Sequence, residues 1–423
     1  MSIRQKSIFL ALFAALGIFL VALPHSGLLG FGRPLFVDEA VNIDSGISFL
    51  SRGWITYRGV PQAYSPLVSS GVLGSLLPAS LTEASGTYVA GRSASAAQAS
   101  LSLAAVGLLL ALISQWPLLC LLFSGLVLLI PALPASLVYT QAEPLSFFAL
   151  SAGFVLFATN RSLLAAAIFF WLAVHLKLLA IVDIAGSFSF LALYAYFERS
   201  ILSRVIRLYA FTISVLLAGA LVWQAVQIAL TPTWSEYLSS WSSFAVFFKG
   251  GGSGLREEAA ARLSRWDLIT TNASEFGSYS VVSKALILGL CVFPIIGIAK
   301  VLRSDSQTRA TGGLVLIVCF SGAAIFHLGW WLLKSEQIWI RHGFLGLFSA
   351  CAVAALLLGR LVRLRKLLNV AGVILFVAVF GFKSWRGVQE FRNKPTSCLT
   401  QDIHFNTFCD PRGTPLKFVP WRP

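Results

Sequence analysis

The chain has 423 residues, of which 57% are hydrophobic and 12% charged, with a mean hydropathy of +0.80. Soluble domains are about half apolar and a quarter charged, so a soluble fold is excluded. The net charge of +15 does not indicate nucleic acid, because the basic residues fall between apolar runs and form no stripe with interleaved aromatics; membrane topology and anionic lipid account for them.

Crossing about 30 Å of hydrocarbon at 1.5 Å per residue takes roughly 20 apolar residues. Runs of that kind predict helical spans near residues 8–24, 95–113, 116–133, 144–159, 162–178, 180–197, 208–230, 281–299, 311–332, 341–359 and 368–383. The fold class expected is therefore all-α, a polytopic transmembrane bundle of about eleven spans over residues 1–383. The first run follows Arg4 and Lys6 and has no small-residue cleavage site before Pro24, so it reads as an uncleaved span. Residues 25–94 form a long loop in which 38–50 and 66–77 suit helices lying along the membrane interface. A second long loop, 231–280, contains Lys249-Gly-Gly-Gly-Ser-Gly254 ahead of the charge-rich stretch 255–267, the composition of a hinge before a short solvated helix. A polar tail occupies 384–423.

The basic connectors decide orientation. Arg4 with Lys6, Arg161, Arg199 with Arg204 and Arg207, Lys300 with Arg303 and Arg309, and the group from Arg360 to Lys366 all fall on one side if the spans alternate. By the positive-inside rule that side is cytoplasmic, which puts the long loops and the tail outside. Cys398 and Cys409 in the tail are close enough for a disulfide, and a disulfide needs an oxidising compartment. The remaining cysteines, Cys120, Cys291, Cys319 and Cys351, lie in apolar runs as small hydrophobes.

Candidate chemistry gathers in the outer segments. Asp38 and Glu39 follow the first span by about a dozen residues; a carboxylate near a low-dielectric boundary serves as a general base, and equally Asp38 fits a helix cap with Glu39 stabilising the first turn. Glu143 opens the fourth span before Pro144, again as a site residue or a cap. Lys177 ends the fifth span, where an ammonium either pairs with a phosphate or snorkels to headgroups. His175 beside it reads first as a packed histidine. The turn from Trp330 to His342 is crowded with aromatics and cations; a membrane-interface belt explains its tryptophans, while Arg341 has the fork geometry for a phosphate. Arg58 and Tyr64 are placed to line a cavity in the first loop, and Arg92 to anchor the second span. The sequence has no phosphate-cradling glycine loop, nucleophile elbow or metal-spaced histidine cluster, which leaves nucleotide-driven transport and soluble hydrolase chemistry without support.

Read in order, Asp38-Glu39-Ala40, Gly53, Tyr57, Gly59, Tyr64-Ser65-Pro66-Leu67 and Ala90-Gly91-Arg92 resemble the first external loop of the C-type (GT-C) glycosyltransferases. That superfamily includes protein mannosyltransferases and lipid A aminoarabinose transferases, and the resemblance covers mainly the N-terminal half. It implies a GT-C-like bundle with two juxtamembrane helices in this loop and Asp38 as the catalytic acidic residue. Glu143 resembles the second acidic position, the segment ending His175-Leu176-Lys177 resembles a family segment that closes a span with lysine, and Arg341 resembles a late arginine, with His342 standing where the family has tyrosine. The implied activity is transfer of a hexosyl or pentosyl group from a polyprenyl-phosphate sugar to a cell-envelope glycan, lipid or protein. Transfer would take place with inversion, on the extracytoplasmic face of the inner membrane. In that scheme Glu39, Arg58, Tyr64, Glu143, His175, Lys177, Arg341 and His342 contact substrate, and Asp38 with Glu143 are the candidates for a magnesium or manganese ion. The competing reading is a transporter or flippase of lipid-linked glycans. Transporters carry paired repeats and mid-membrane polar residues, and no internal repeat of fixed period is found.

Overall fold

The first apolar run starts at a capping box. The Gln5 backbone N–H donates to Ser2 Oγ at 3.2 Å, and the Ser2 backbone N–H donates to Gln5 Oε1 at 2.8 Å, satisfying two of the amides a helix start leaves without partners. Helix α1 (Ile3–Ser26) then runs through Pro24 and stops at Gly27, whose φ of 92° is left-handed and natural only for glycine. The computed structural model describes residues 2–29, 37–52, 56–57, 60–61, 72–130, 132–139, 142–231, 233–249, 264, 266–267, 280–304, 312–333, 340–360 and 365–391.

In chain order the helices after α1 are α2 (Val37–Arg52), α3 (Val72–Ser85), α4 (Tyr88–Ser114), α5 (Leu119–Leu129), the single turn α6 (Leu133–Ser136), α7 (Glu143–Ala158), α8 (Leu163–Leu176), α9 (Ala180–Phe197), α10 (Leu202–Leu230), α11 (Trp234–Lys249), α12 (Ser280–Leu302), α13 (Gly312–Leu333), α14 (Phe344–Gly359) and α15 (Arg365–Phe391). Between α2 and α3, Thr56–Tyr57 pairs antiparallel with Val60–Pro61. Among the described residues six helices are long and apolar enough to cross a membrane, and five more are apolar but shorter. The chain is an all-α, polytopic integral membrane protein, and each predicted span corresponds to one of these helices.

Several boundaries differ from the hydropathy reading: α10 starts at Leu202 and not at 208, and the second loop helix, expected over 66–77, is described over Val72–Ser85. Helix α4 begins at Tyr88, seven residues before the expected start at 95, because its first turns carry Gly91, Arg92 and Ser93. These lower the hydropathy of the run without preventing burial. Helix α15 continues to Phe391, past residue 383 where the apolar run ends.

Helix α14 lies at the centre, with every residue from Phe344 to Leu357 buried; a helix that is apolar on all sides belongs inside a bundle. Helices α5, α7, α12 and α13 surround it. Phe147 of α7 packs against Phe123, Phe320 and Phe348 at centroid separations of 5.3–6.4 Å. The peripheral helix α10 turns Leu217, Leu221 and Val222 outward, each more than 60% exposed, an apolar surface suited to acyl chains. Small residues bring α9 and α13 into backbone contact. A Cβ on Gly186 would stand 2.4 Å from the Gly322 carbonyl oxygen, and one on Gly322 would stand 2.5 Å from the Gly186 oxygen. Ser187 Oγ donates across the same crossing to the Cys319 carbonyl at 2.8 Å, which is how membrane helices associate without a hydrophobic driving force.

Candidate functional site

The first loop folds back onto the start of α4. Glu39, in the first turn of α2, is fully buried and meets the equally buried Arg92 of α4 in a two-point contact. Arg92 Nε donates to Oε1 at 2.6 Å, and Nη2 donates to Oε2 at 2.8 Å. This fork-to-carboxylate geometry is the strongest form of such a pair. Arg92 is therefore an interior partner and not a surface anchor. Helix α2 starts at Val37, so Asp38 sits inside the first helical turn; its side chain lies outside the described residues. Close packing extends this contact. A Cβ on Gly46 of α2 would meet Ala79 at 2.7 Å, and a Cβ on Gly91 of α4 would meet Thr82 Oγ1 at 2.1 Å, so α2, α3 and α4 form one packed unit.

Helix α3 carries this unit to the other candidates. A Cβ on Gly74 would stand 2.6 Å from Ala142 Cβ and 3.7 Å from Leu176 Cδ2, the residues immediately before Glu143 and Lys177. Gln98 donates to the Gly74 carbonyl at 3.3 Å, and Ser95 Oγ lies 2.7 Å from the Tyr139 carbonyl. The first ties α3 to α4, and the second holds the segment ahead of α7 against α4.

Glu143 is the first residue of α7, and the preceding Ala142 caps the helix with no side-chain hydrogen bond. Its carboxylate is turned to Lys177, with Oε1 2.7 Å from Nζ. The lysine is 26% exposed and the glutamate 3%, so the pair has a buried end and an open end. Among the described residues, Glu143 Oε2 has no hydrogen-bond donor. Lys177 ends α8 as its C-cap, and Ser146 Oγ donates to the Ala173 carbonyl at 2.8 Å, locking the two helix ends that carry the pair. His175 is buried between Trp171 and Trp223, at centroid distances of 4.5 and 5.7 Å, packed in an aromatic setting.

A third pair was not singled out from the sequence. Asp183, in the first turn of α9, and His327, six residues before the end of α13, are both fully buried, with Oδ2 and Nδ1 2.7 Å apart. His327 Nε2 lies 2.7 Å from the His342 carbonyl oxygen, in the turn Ile340–Gly343 that carries Arg341. The signal was present in the sequence: a lone carboxylate and a lone imidazole inside apolar runs are functional candidates by their cost alone. The Arg341 side chain, Arg58, Tyr64, the 250–254 glycine stretch, most of 255–267, and the tail with Cys398 and Cys409 lie outside the described residues.

The contacts Glu39–Arg92, Gly74–Ala142, Glu143–Lys177, Asp183–His327 and His327–His342 gather the starts of α2, α3, α4, α7 and α9, the ends of α8 and α13 and the turn before α14 at one end of the bundle. Asp38, Glu39, Glu143, Lys177 and the Arg341 turn all belong to that end. The arrangement presents a buried carboxylate with one oxygen unpartnered among the described residues, beside a partly open ammonium. Such a mouth can hold a phosphate at the lysine and hydroxyls at the glutamate. Glu143 faces Lys177, and among the described residues no three His, Cys, Asp or Glu side chains converge; the Asp38 side chain, the other candidate for a cation, lies outside the described residues.

No protein-family model and no curated protein matches the chain. Among solved structures it is similar to ArnT from Cupriavidus metallidurans, crystallised with undecaprenyl phosphate, at 14% identity over 84% of this chain and 78% of that one, with a TM-score of 0.38. Likeness at that score carries no functional weight.

Proposed function

We propose that the chain is a membrane glycosyltransferase that moves a hexosyl or pentosyl group from a polyprenyl-phosphate donor to a cell-envelope glycan, lipid or protein, on the extracytoplasmic face of the inner membrane. The single observation that carries the reading is convergence. Helix α3, packed in one unit with the helix that bears Asp38 and Glu39, meets at Gly74 the residues Ala142 and Leu176, the chain neighbours of Glu143 and Lys177, and this supports a shared site. Asp38, Glu39, Glu143 and Lys177 are positions where the sequence resembles the GT-C superfamily.

In this scheme the donor's sugar phosphate enters sideways from the membrane with its lipid tail along the apolar helices. Lys177 and Arg341 neutralise the phosphate and stabilise the charge that grows on it as the glycosidic bond breaks. Asp38 takes the proton of the acceptor hydroxyl or amine as that nucleophile attacks the anomeric carbon from the face opposite the phosphate. The carbon–oxygen bond to phosphate breaks with its electron pair, lipid phosphate leaves, and the configuration inverts. Glu143 orients the Lys177 ammonium through Oε1 and offers Oε2 to a sugar hydroxyl. Glu39 acts through Arg92 to hold the helix that carries Asp38. His342 contributes its backbone to the Arg341 turn, while Arg58 and Tyr64 are assigned to the rim. No step is routed through a metal.

The buried Asp183–His327 pair gives the transport reading its one specific observation, since ionisable residues within spans mark ion or substrate paths. Against it, both imidazole nitrogens are already engaged and both side chains are sealed. The deciding experiment reconstitutes the purified chain in proteoliposomes with polyprenyl-phosphate sugars and measures free lipid phosphate. An enzyme releases it, and Asp38→Asn lowers release by roughly 10²-fold or more with insertion unchanged. Glycan movement without release supports a transporter, and normal turnover in Asp38→Asn removes that residue from the mechanism.

A further inference from the structure

The Asp183–His327 pair has no task in the glycosyl transfer, yet it joins three elements at the mouth. Asp183 is held by a close helix crossing: one turn further along α9, Gly186 and Ser187 touch the backbone of α13 at Gly322 and Cys319. His327 lies on α13 where that crossing ends. From there its ring reaches the turn Ile340–Gly343 through the His342 carbonyl at 2.7 Å. The last residue of this turn and the first turn of α14 are both seated on α13. A Cβ on Gly343 would press on the buried Trp331 ring at 2.7 Å, and one on Gly346 would stand 3.1 Å from His327 Cβ. On the other side, the Ala180 amide donates to the Lys177 carbonyl at 2.9 Å, so the helix that bears Asp183 begins at the backbone of Lys177.

The hydrogen-bond chemistry of the pair is restrictive. A carbonyl oxygen only accepts, so Nε2 of His327 carries hydrogen. Toward Asp183, then, either Nδ1–H donates to a carboxylate, or a carboxylic acid donates to Nδ1. The two forms differ in the place of one proton and have the same net charge of zero, which permits full burial in a low-dielectric interior.

We propose that Asp183 and His327 form a positioning unit that fixes the Arg341 turn relative to the Lys177 segment, and so sets the separation of the two cations that grip the donor phosphate. The assignment of those cations rests on the glycosyltransferase reading; the fixing of the turn stands on the geometry alone. The unit works through hydrogen bonds and not through charge. In Asp183→Asn the amide N–H can donate to Nδ1 while Nε2–H still meets His342, so the anchor survives.

The test uses the full-length chain in detergent micelles, with two readouts: hydrogen–deuterium exchange of the 340–343 backbone amides, and affinity for undecaprenyl phosphate. His327→Phe and Asp183→Ala should speed exchange of those amides by roughly tenfold, the scale of one lost hydrogen bond. Both should weaken lipid-phosphate binding, while exchange in α14 stays at the wild-type rate. Asp183→Asn should stay within about twofold of wild type in both readouts. Unchanged exchange in His327→Phe overturns the proposal. So does an Asp183→Asn variant as impaired as Asp183→Ala, which also covers the case in which the larger changes unfold the protein. Faster exchange with unaltered lipid-phosphate affinity overturns the role in cation spacing. Should wild type bind no lipid phosphate at all, the functional reading fails, and the exchange measurements still decide whether the pair holds the turn.

Discussion

Breaking the Glu39–Arg92 contact gives the sharpest stability prediction. Both side chains have zero exposure, and two hydrogen bonds of 2.6 and 2.8 Å join them. Arg92→Met deprives a buried carboxylate of its guanidinium, and Glu39→Leu does the converse. Removal of one partner from a buried pair costs about 3–5 kcal/mol. Replacing both by apolar groups of similar volume is close to neutral, because neither charge then has to be desolvated. The double variant should therefore recover most of the loss, with a coupling of about 3 kcal/mol or more between the two sites. Equilibrium unfolding in mixed micelles, run as a double-mutant cycle, measures all three changes. A loss below about 1 kcal/mol for Arg92→Met, or single losses that simply add in the double variant, would show that water reaches the pair and that the packing argument is wrong. Lipid-phosphate release by the stable double variant separates the functional part. Turnover should fall although folding is intact, because the turn bearing Asp38 has lost its anchor.

Neighbouring contacts and the topology each yield a further test. Lys177→Met removes the ammonium from the mouth and should weaken undecaprenyl phosphate binding by roughly 10–100-fold; equal affinity by isothermal titration would take Lys177 out of the donor site. Gly186→Leu forces side-chain atoms into the α9–α13 crossing, where even a Cβ stands 2.4 Å from the Gly322 oxygen. It should cost about 1–3 kcal/mol, and an unaltered melting curve would mean that the two helices separate freely. If the tail is extracytoplasmic, Cys398 and Cys409 should react with an impermeant maleimide in intact cells only after reduction, whereas labelling confined to inverted vesicles would reverse the topology.

The number and approximate bounds of the spans were legible in the sequence because a bilayer has one thickness, and any contiguous run that satisfies it must become a helix. The acidic pair after the first span, Glu143 and Lys177 were visible for a related reason: each is a polar interruption at the edge of an apolar run. Their relationships were not visible. Glu143 read equally as a cap until α7 and α8 placed it 2.7 Å from Lys177. Arg92 read as an anchor because hydropathy counts its charge and cannot see Glu39, 53 positions earlier, arriving to neutralise it. Asp183 and His327 were diluted by the apolar residues around them, and they meet only because small residues let α9 and α13 touch across 144 positions of chain. Hydropathy is a sum over neighbours in sequence, so it determines which segments enter the membrane. Which buried charge meets which is decided by helix packing, where one glycine sets an approach distance that no local sum contains.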